Sequence, residues 1–453
     1  MRAIRPLVVA IAVTLLPTIA AAHDACQEPA DPSYASYECK VERLRERSFV
    51  VIAVPDTGIN PYHQDFRLPA DDDLQGVPPW EFIEGYPAAA EPVALTLDAP
   101  SYEDAVAEDA EAWEAVRQDT LYYFPGTKII GANSVTDGTN GAVTDPHILD
   151  ANGHGTAATS LVAGADHGFN HDVDTLIVVV QGWTLEWVYQ QPWIDVISNS
   201  WGYTANVSGF NNPEKDMSKA ATDAGKVVAF AAGNGVSGLG LACDRAVSLI
   251  SHTSGPPWNL VIGAVSPKNQ QDHCWHSIPP DVSSYGSFWP AADWTSMDGE
   301  RNFSGTSSAT PLVAGVVADQ ILEARRAFGD TVEGPHGGAA LAVASEAEAM
   351  PSSGPLADGR LVRTEVEETT MKTAYPVAFD PAACTGDPVT CANTTPTTPA
   401  YYVYEGYGIV NQASSAAAMD VLFGRAPMPD RSEVDTWMAI KDTVAGAFWD
   451  TFP

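Results

Sequence analysis

The chain has 453 residues, 45% of them apolar, enough for one large domain or two to three smaller ones around a sizeable core. Its 23 basic and 58 acidic residues give a formal net charge of −35. That balance argues against unassisted nucleic-acid binding, which needs clustered Lys and Arg to neutralise phosphate.

Residues 1–22 have the form of a secretory signal peptide. Arg2 and Arg5 precede a short apolar stretch interrupted by Pro17, and Ala20-Ala21-Ala22 offers a small-residue cleavage site. No later stretch is long and apolar enough to span a membrane. The expectation is an exported chain, soluble and monomeric after cleavage. All six cysteines follow that site, and an even count in an exported chain favours disulfides. Pairing of nearest neighbours (Cys26–Cys39, Cys243–Cys274, Cys384–Cys391) is one of about 15 connectivities. Zinc competes at HCWH (273–276), but no second Cys/His pair lies at a zinc spacing. N-x-S/T triplets occur at Asn206, Asn302 and Asn393.

Residues 23–47 form a short N-terminal extension. SFVVIAV (48–54) reads as a buried strand and runs into PDTGI. From 68 to about 128 the character changes, and the plain meaning is a surface excursion. Within it, 101–118 reads as an acidic helix with Ser101 as N-cap and Asp104 three residues on. Strand character resumes at 127–132, 175–182 and 193–202. A helix over 214–225 leads into a strand and turn at 226–235, and 259–266 is a further strand. Residues 308–328 form a long apolar helix, with Pro311 expected in its first turn, where proline is tolerated. A Thr/Pro/Ala-rich loop spans about 379–400. The tail, 425–453, reads as a linker and one amphipathic helix packed on the domain.

Strands alternating with helices imply an α/β fold whose parallel sheet is covered on both faces. Ligands bind beyond the carboxyl ends of such strands. Polar residues recur there: Asp56 after the first strand, Asn199 and Ser200 after DVIS, and Asn234 after KVVAFAAG.

Asp56 lies in VPDTGI, His154 in NGHGTAATSLVAG and Ser307 in FSGTSSATPLVAG. Singly these are a turn former, a helix start and a small-residue helix start. Together they supply a nucleophile, a base and an acid to orient the base. DTGI, GHGT and GTSSATPLVAG resemble the three catalytic motifs of the subtilisin-like serine proteases, the subtilases. AAGN (231–234) is similar to the family's oxyanion segment, SWG (200–202) to its substrate-binding strand, and GYGIVN (406–411) to the lead into its last helix. The resemblance covers about 48–424 with interruptions.

The resemblance implies a three-layer α/β/α subtilisin-like fold with a mostly parallel central sheet, and a secreted serine endopeptidase acting on proteins or peptides. Ser307 would attack the carbonyl, His154 would move the proton and Asp56 would hold the imidazole. Asn234 and the Ser307 N–H would bind the oxyanion. Ser200, Trp201, Gly202 and Gly233 would line the substrate. The competing function is a catalytically silent binding protein on the same fold. An α/β-hydrolase esterase would need G-x-S-x-G and the order Ser, acid, His, which the chain lacks.

The chain departs from the family pattern in several places. The His motif continues AATSLVAG instead of H-V-A-G, and Pro55 precedes Asp56. Residues 23–47 are too few for a folding pro-domain. The acidic helix at 101–118 is expected to flank the cleft. No acid can be assigned to the specificity pocket, so a broad or apolar preference is expected. No cofactor is required for catalysis. A structural calcium is implied at Asp65 in YHQDF, with Asp166 and Asp172 as further oxygen ligands.

Overall fold

Val50–Asp56 (β1) is buried at every position, and its side chains divide between two cores. Val50, Ile52 and Val54 enter one, Val51 and Ala53 the other, as the two-residue period of a strand covered on both faces requires. The computed structural model describes residues 36–134, 148–181, 186–201, 213–234, 258–265, 280–329, 351–375 and 406–447. The signal-like segment, Gly202, Asn206, Asn393, HCWH, the loop at 379–400 and every cysteine but Cys39 lie outside them.

In chain order the elements begin with α1 (Tyr37–Glu46), β1, β2 (Glu91–Pro92), α2 (Tyr102–Glu108), α3 (Ala110–Ala115), β3 (Tyr122–Tyr123) and β4 (Ile129–Ser134). Next come α4 (His154–Ala163), β5 (Thr175–Gln181), α5 (Glu186–Gln190), β6 (Val196–Asn199), α6 (Pro213–Asp223), β7 (Val227–Ala231), β8 (Leu260–Val265) and β9 (Val282–Tyr285). A hairpin of β10 (Trp289–Ala292) and β11 (Glu300–Phe303) leads to α7 (Thr306–Phe328). The chain then forms α8 (Arg363–Thr373), α9 (Gln412–Leu422) and α10 (Ser432–Ala447).

Among the described residues the main sheet has nine strands in the order β2-β3-β4-β5-β1-β6-β7-β8-β9. Every pair is parallel except β3 with β4. β1 lies between β5 and β6, so its carboxyl end, bearing Asp56, opens in the middle of the sheet. Pro55 is accommodated because the β1–β6 ladder stops at Ala53↔Ile197, while β1–β5 runs on to Asp56↔Gln181. α4 and α7 fill the first core; α1, α6 and residues from 68–130 fill the second.

The stretch at 68–128 differs from a surface excursion. Leu74, Val77, Ile83, Tyr86, Leu121 and Tyr123 are buried in the second core, and β2 and β3 prolong the sheet beyond β4. The expected single helix breaks at Asp109. That carboxylate accepts from Thr96 N–H (2.8 Å), Thr96 Oγ1 (2.7 Å) and Tyr62 Oη (2.8 Å). α1 docks on the same stretch through the pairs Arg43–Asp73 and Arg47–Asp72, with Val41 and Leu44 buried beneath. Cys39 is buried and disulfide-bonded. At the other end of the chain, Val434 and Met438 of α10 enter the first core, and Trp437 Nε1 donates to Asp281 at 2.6 Å. Among the described residues no helix is long and apolar enough to cross a membrane.

Candidate active site

Asp56 ends β1 and is fully buried. The Thr57 N–H donates to its Oδ1 at 2.7 Å. His154 opens α4, and its Nδ1–H donates to both Asp56 oxygens, at 2.8 and 3.0 Å. A carboxylate is an acceptor only, so it fixes the proton on Nδ1 and leaves Nε2 as the basic nitrogen. Gly153, before the histidine, has φ +88°; a Cβ there would lie 2.1 Å from the Trp294 ring and 2.2 Å from Arg301. Only glycine allows both that left-handed turn and the close cover. Phe303 packs edge-on against the imidazole at 4.9 Å. Burial disfavours the imidazolium of His154, but the charge and hydrogen bond of Asp56, helped by Asp150, outweigh it and raise its pKa; Arg301 opposes them.

Ser307 is the second residue of α7, behind the N-cap Gly305 (φ +89°). A Cβ on Gly305 would sit 2.8 Å from Asn234 Oδ1. Asn234 follows β7, and its Oδ1 accepts from Thr306 N–H (2.9 Å) and Thr306 Oγ1 (3.1 Å). With Oδ1 so used, Nδ2 is the donor edge of the amide, beside the start of a helix whose first N–H groups have no intrahelical acceptor. A helix start of this kind favours negative charge.

The hydroxyl of Ser307 donates to the Ser200 carbonyl, and the Ser200 hydroxyl donates to the Ser307 carbonyl, both at 2.9 Å. The second bond has a cause in the sequence. Pro311 lies in the second turn of α7, not the first, and has no N–H for the carbonyl four residues back, which is that of Ser307. Ser200 satisfies the freed oxygen. Among the described residues no hydrogen bond joins Ser307 to His154, so proton transfer between them requires the hydroxyl to turn away from Ser200.

The other serines of the motif have structural partners. Ser304 Oγ accepts from Phe288 N–H at 2.9 Å, and Ser308 Oγ donates to the Tyr285 carbonyl at 3.1 Å. The Trp201 ring is committed to the second core, edge-on to Phe230 at 5.6 Å. Gly233 takes φ +85° in the turn before Asn234.

Calcium takes six to eight oxygen ligands, and the acids expected to hold it have protein partners. Asp65 is fully buried, with Oδ1 accepting from Asp166 N–H (2.6 Å) and Oδ2 from His167 Nδ1–H (2.8 Å). Asp172 is held by both terminal nitrogens of Arg326, at 2.6 and 2.7 Å. Asp166 Oδ2 accepts from Gln64. Protein donors thus engage both Asp65 oxygens, both Asp172 oxygens and one Asp166 oxygen. Among the described residues no cluster of three His, Cys, Asp or Glu could hold a metal.

Sequence reasoning missed Asp150, Thr57, Arg301 and Phe303. The one available signal was an aspartate placed four residues before the histidine of a helix whose N-cap glycine has no side chain. In the 101–118 region, Tyr102 of α2 packs edge-on to Tyr62 at 5.9 Å. Burial, then the charges of Asp150 and Glu103, push the Tyr102 hydroxyl up to about 12.

No curated protein matches the chain in sequence. The model of the subtilase family, Peptidase_S8, matches residues 47–333, more than half of the chain. Two solved structures are similar. A mutant of the protease domain of PatA is 14% identical with a TM-score of 0.44, covering 83% of this chain and 97% of that one. The Prenylagaramide maturation protease PagA is 12% identical with a TM-score of 0.44, covering 84% of this chain and 98% of that one.

Proposed function

The chain belongs to the subtilase family of serine-type endopeptidases, and from that premise we propose that Asp56, His154 and Ser307 are its catalytic triad, acting on exported or extracellular proteins through an acyl-enzyme. The observation that carries this reading is the pairing of a fully buried Asp56 with His154 Nδ1 at 2.8 and 3.0 Å. It leaves Nε2 as the proton acceptor, on a base whose charged form is favoured once formed.

The steps follow from these groups. Ser307 turns from Ser200 to His154 and gives up its proton as Oγ bonds to the scissile carbonyl carbon. The carbonyl oxygen becomes an anion, held by Asn234 Nδ2 and the Ser307 N–H at the start of α7. The imidazolium, stabilised by Asp56, returns the proton to the leaving amine as the C–N bond breaks. Water then repeats the sequence on the acyl-enzyme. Ser200, Trp201 and Gly202 would pair main chain to main chain with the substrate. The signal-like residues 1–22 support export.

Purified protein incubated with a fluorophosphonate probe tests the assignment. Wild type should be labelled and should cleave casein, and Ser307→Ala should do neither. A folded wild type that takes no label would leave the silent binding protein as the correct reading.

A further inference from the structure

On the reading of Asp56, His154 and Ser307 as a triad, we infer that Asp150 is the positioning residue that locks the acid and the base in register. Asp150 is only 3% exposed. Its Oδ1 accepts from Asn152 N–H at 2.9 Å and Gly153 N–H at 2.8 Å. Its Oδ2 accepts from the Thr156 N–H and the Thr156 hydroxyl, both at 2.8 Å. The N-cap of α4 is a glycine with nothing to offer the free N–H groups of the first turn. Asp150 reaches in from outside the helix and serves them in its place.

The fifth bond joins this cap to the acid. Thr57 Oγ1 donates to Asp150 Oδ1 at 2.9 Å and accepts from the Gly155 N–H at 2.9 Å. The Thr57 N–H holds Asp56. One threonine therefore bridges the strand end that carries the acid and the helix start that carries the base. Contact there is close, since a Cβ on Gly155 would lie 2.2 Å from the Gly58 carbonyl oxygen. A charged hydrogen-bond acceptor with five donors, buried, is a rigid support. A misplacement of about 1 Å in such a constellation costs on the order of 100-fold in rate.

Asp150 also faces the base as a charge. The charged groups acting on His154 are Asp56 from β1, Asp150 from the segment before α4, and Arg301 from β11. Tyr102 of α2 in turn faces Asp150. A purely structural cap would hold the helix without tuning the histidine, so the pH profile separates the two roles.

Two variants test the inference, each compared with wild type for kcat, KM and the pH dependence of kcat/KM. Asp150→Asn keeps the size and removes the charge. It should lower kcat by about 10- to 100-fold with KM within about twofold. Its acid limb should move to lower pH, because His154 works as the neutral base and has lost a charge that favoured the imidazolium. Thr57→Val keeps the charge and cuts the bridge; it should lower kcat with the acid limb where wild type has it. A folded Asp150→Asn with wild-type kcat and acid limb would overturn the inference. Should Asp150→Asn not fold, wild-type kcat in Thr57→Val overturns it instead. Failure of the triad reading is seen separately, as a wild type that the fluorophosphonate does not label.

Discussion

Asn234 shows how much one side chain settles at this site. Its Oδ1 is spent on Thr306, which fixes the amide and presents Nδ2 at the start of α7. Replacement by Ala should lower kcat by about 100- to 1,000-fold with little change in KM, as for loss of an oxyanion donor. Steady-state kinetics on one peptide substrate decides it, and a rise in KM at unchanged kcat would place Asn234 in ground-state binding instead. The residues proposed to carry this chemistry were legible because each stands in a short motif with a fixed neighbour: Gly-Thr before Ser307, Gly on either side of His154, Thr-Gly after Asp56. Asp150 was not, because an aspartate in a turn is ordinary until its five donors converge. Asp65 shows the same limit from the other side. The motif pointed to a cation, and only the fold brought the His167 ring to the carboxylate.

α7 shows what an element contributes beyond the end that bears Ser307. At its C-terminal end Arg325 donates to both oxygens of Asp195 (2.9 and 2.7 Å) and to the Phe49 carbonyl (2.7 Å), with both side chains at 5% exposure or less. Asp195 Oδ2 also accepts from the Val51 N–H at 2.9 Å. The helix is thus pinned to the start of β1 and the lead into β6, at the amino ends of the central strands and opposite the site. Arg325→Ala removes the cation paired with a buried carboxylate and should cost about 3–5 kcal/mol. Urea unfolding measures it; a loss under about 1 kcal/mol would mean that water or another donor reaches Asp195. The 68–128 stretch teaches the same lesson. Its mixed composition read as an excursion, yet it supplies β2, β3 and much of the second core. Strands of two residues have no periodicity to detect, and the buried side chains are scattered between turns.

For the whole molecule the dominant quantity is charge. A net −35 with acids spread along the chain makes the folded state repel itself. Raising salt from about 0.01 to about 0.5 M screens that repulsion and should raise Tm. A fall in Tm, followed by calorimetry, would mean that ion pairs such as Arg326–Asp172 and Arg47–Asp72 outweigh the repulsion they sit in. The sequence by itself determined the α/β class, the strands that form the middle of the sheet and the order Asp, His, Ser, because buried runs and short motifs are local patterns. The tertiary structure alone decided the rest. It set the Ser307 hydroxyl on Ser200, closed Asp65 on His167 and made the 68–128 stretch part of the core. It also brought Asp150 to both the strand end and the helix start. Each of these depends on groups distant in sequence meeting at one point, and no local pattern records where a chain returns to itself.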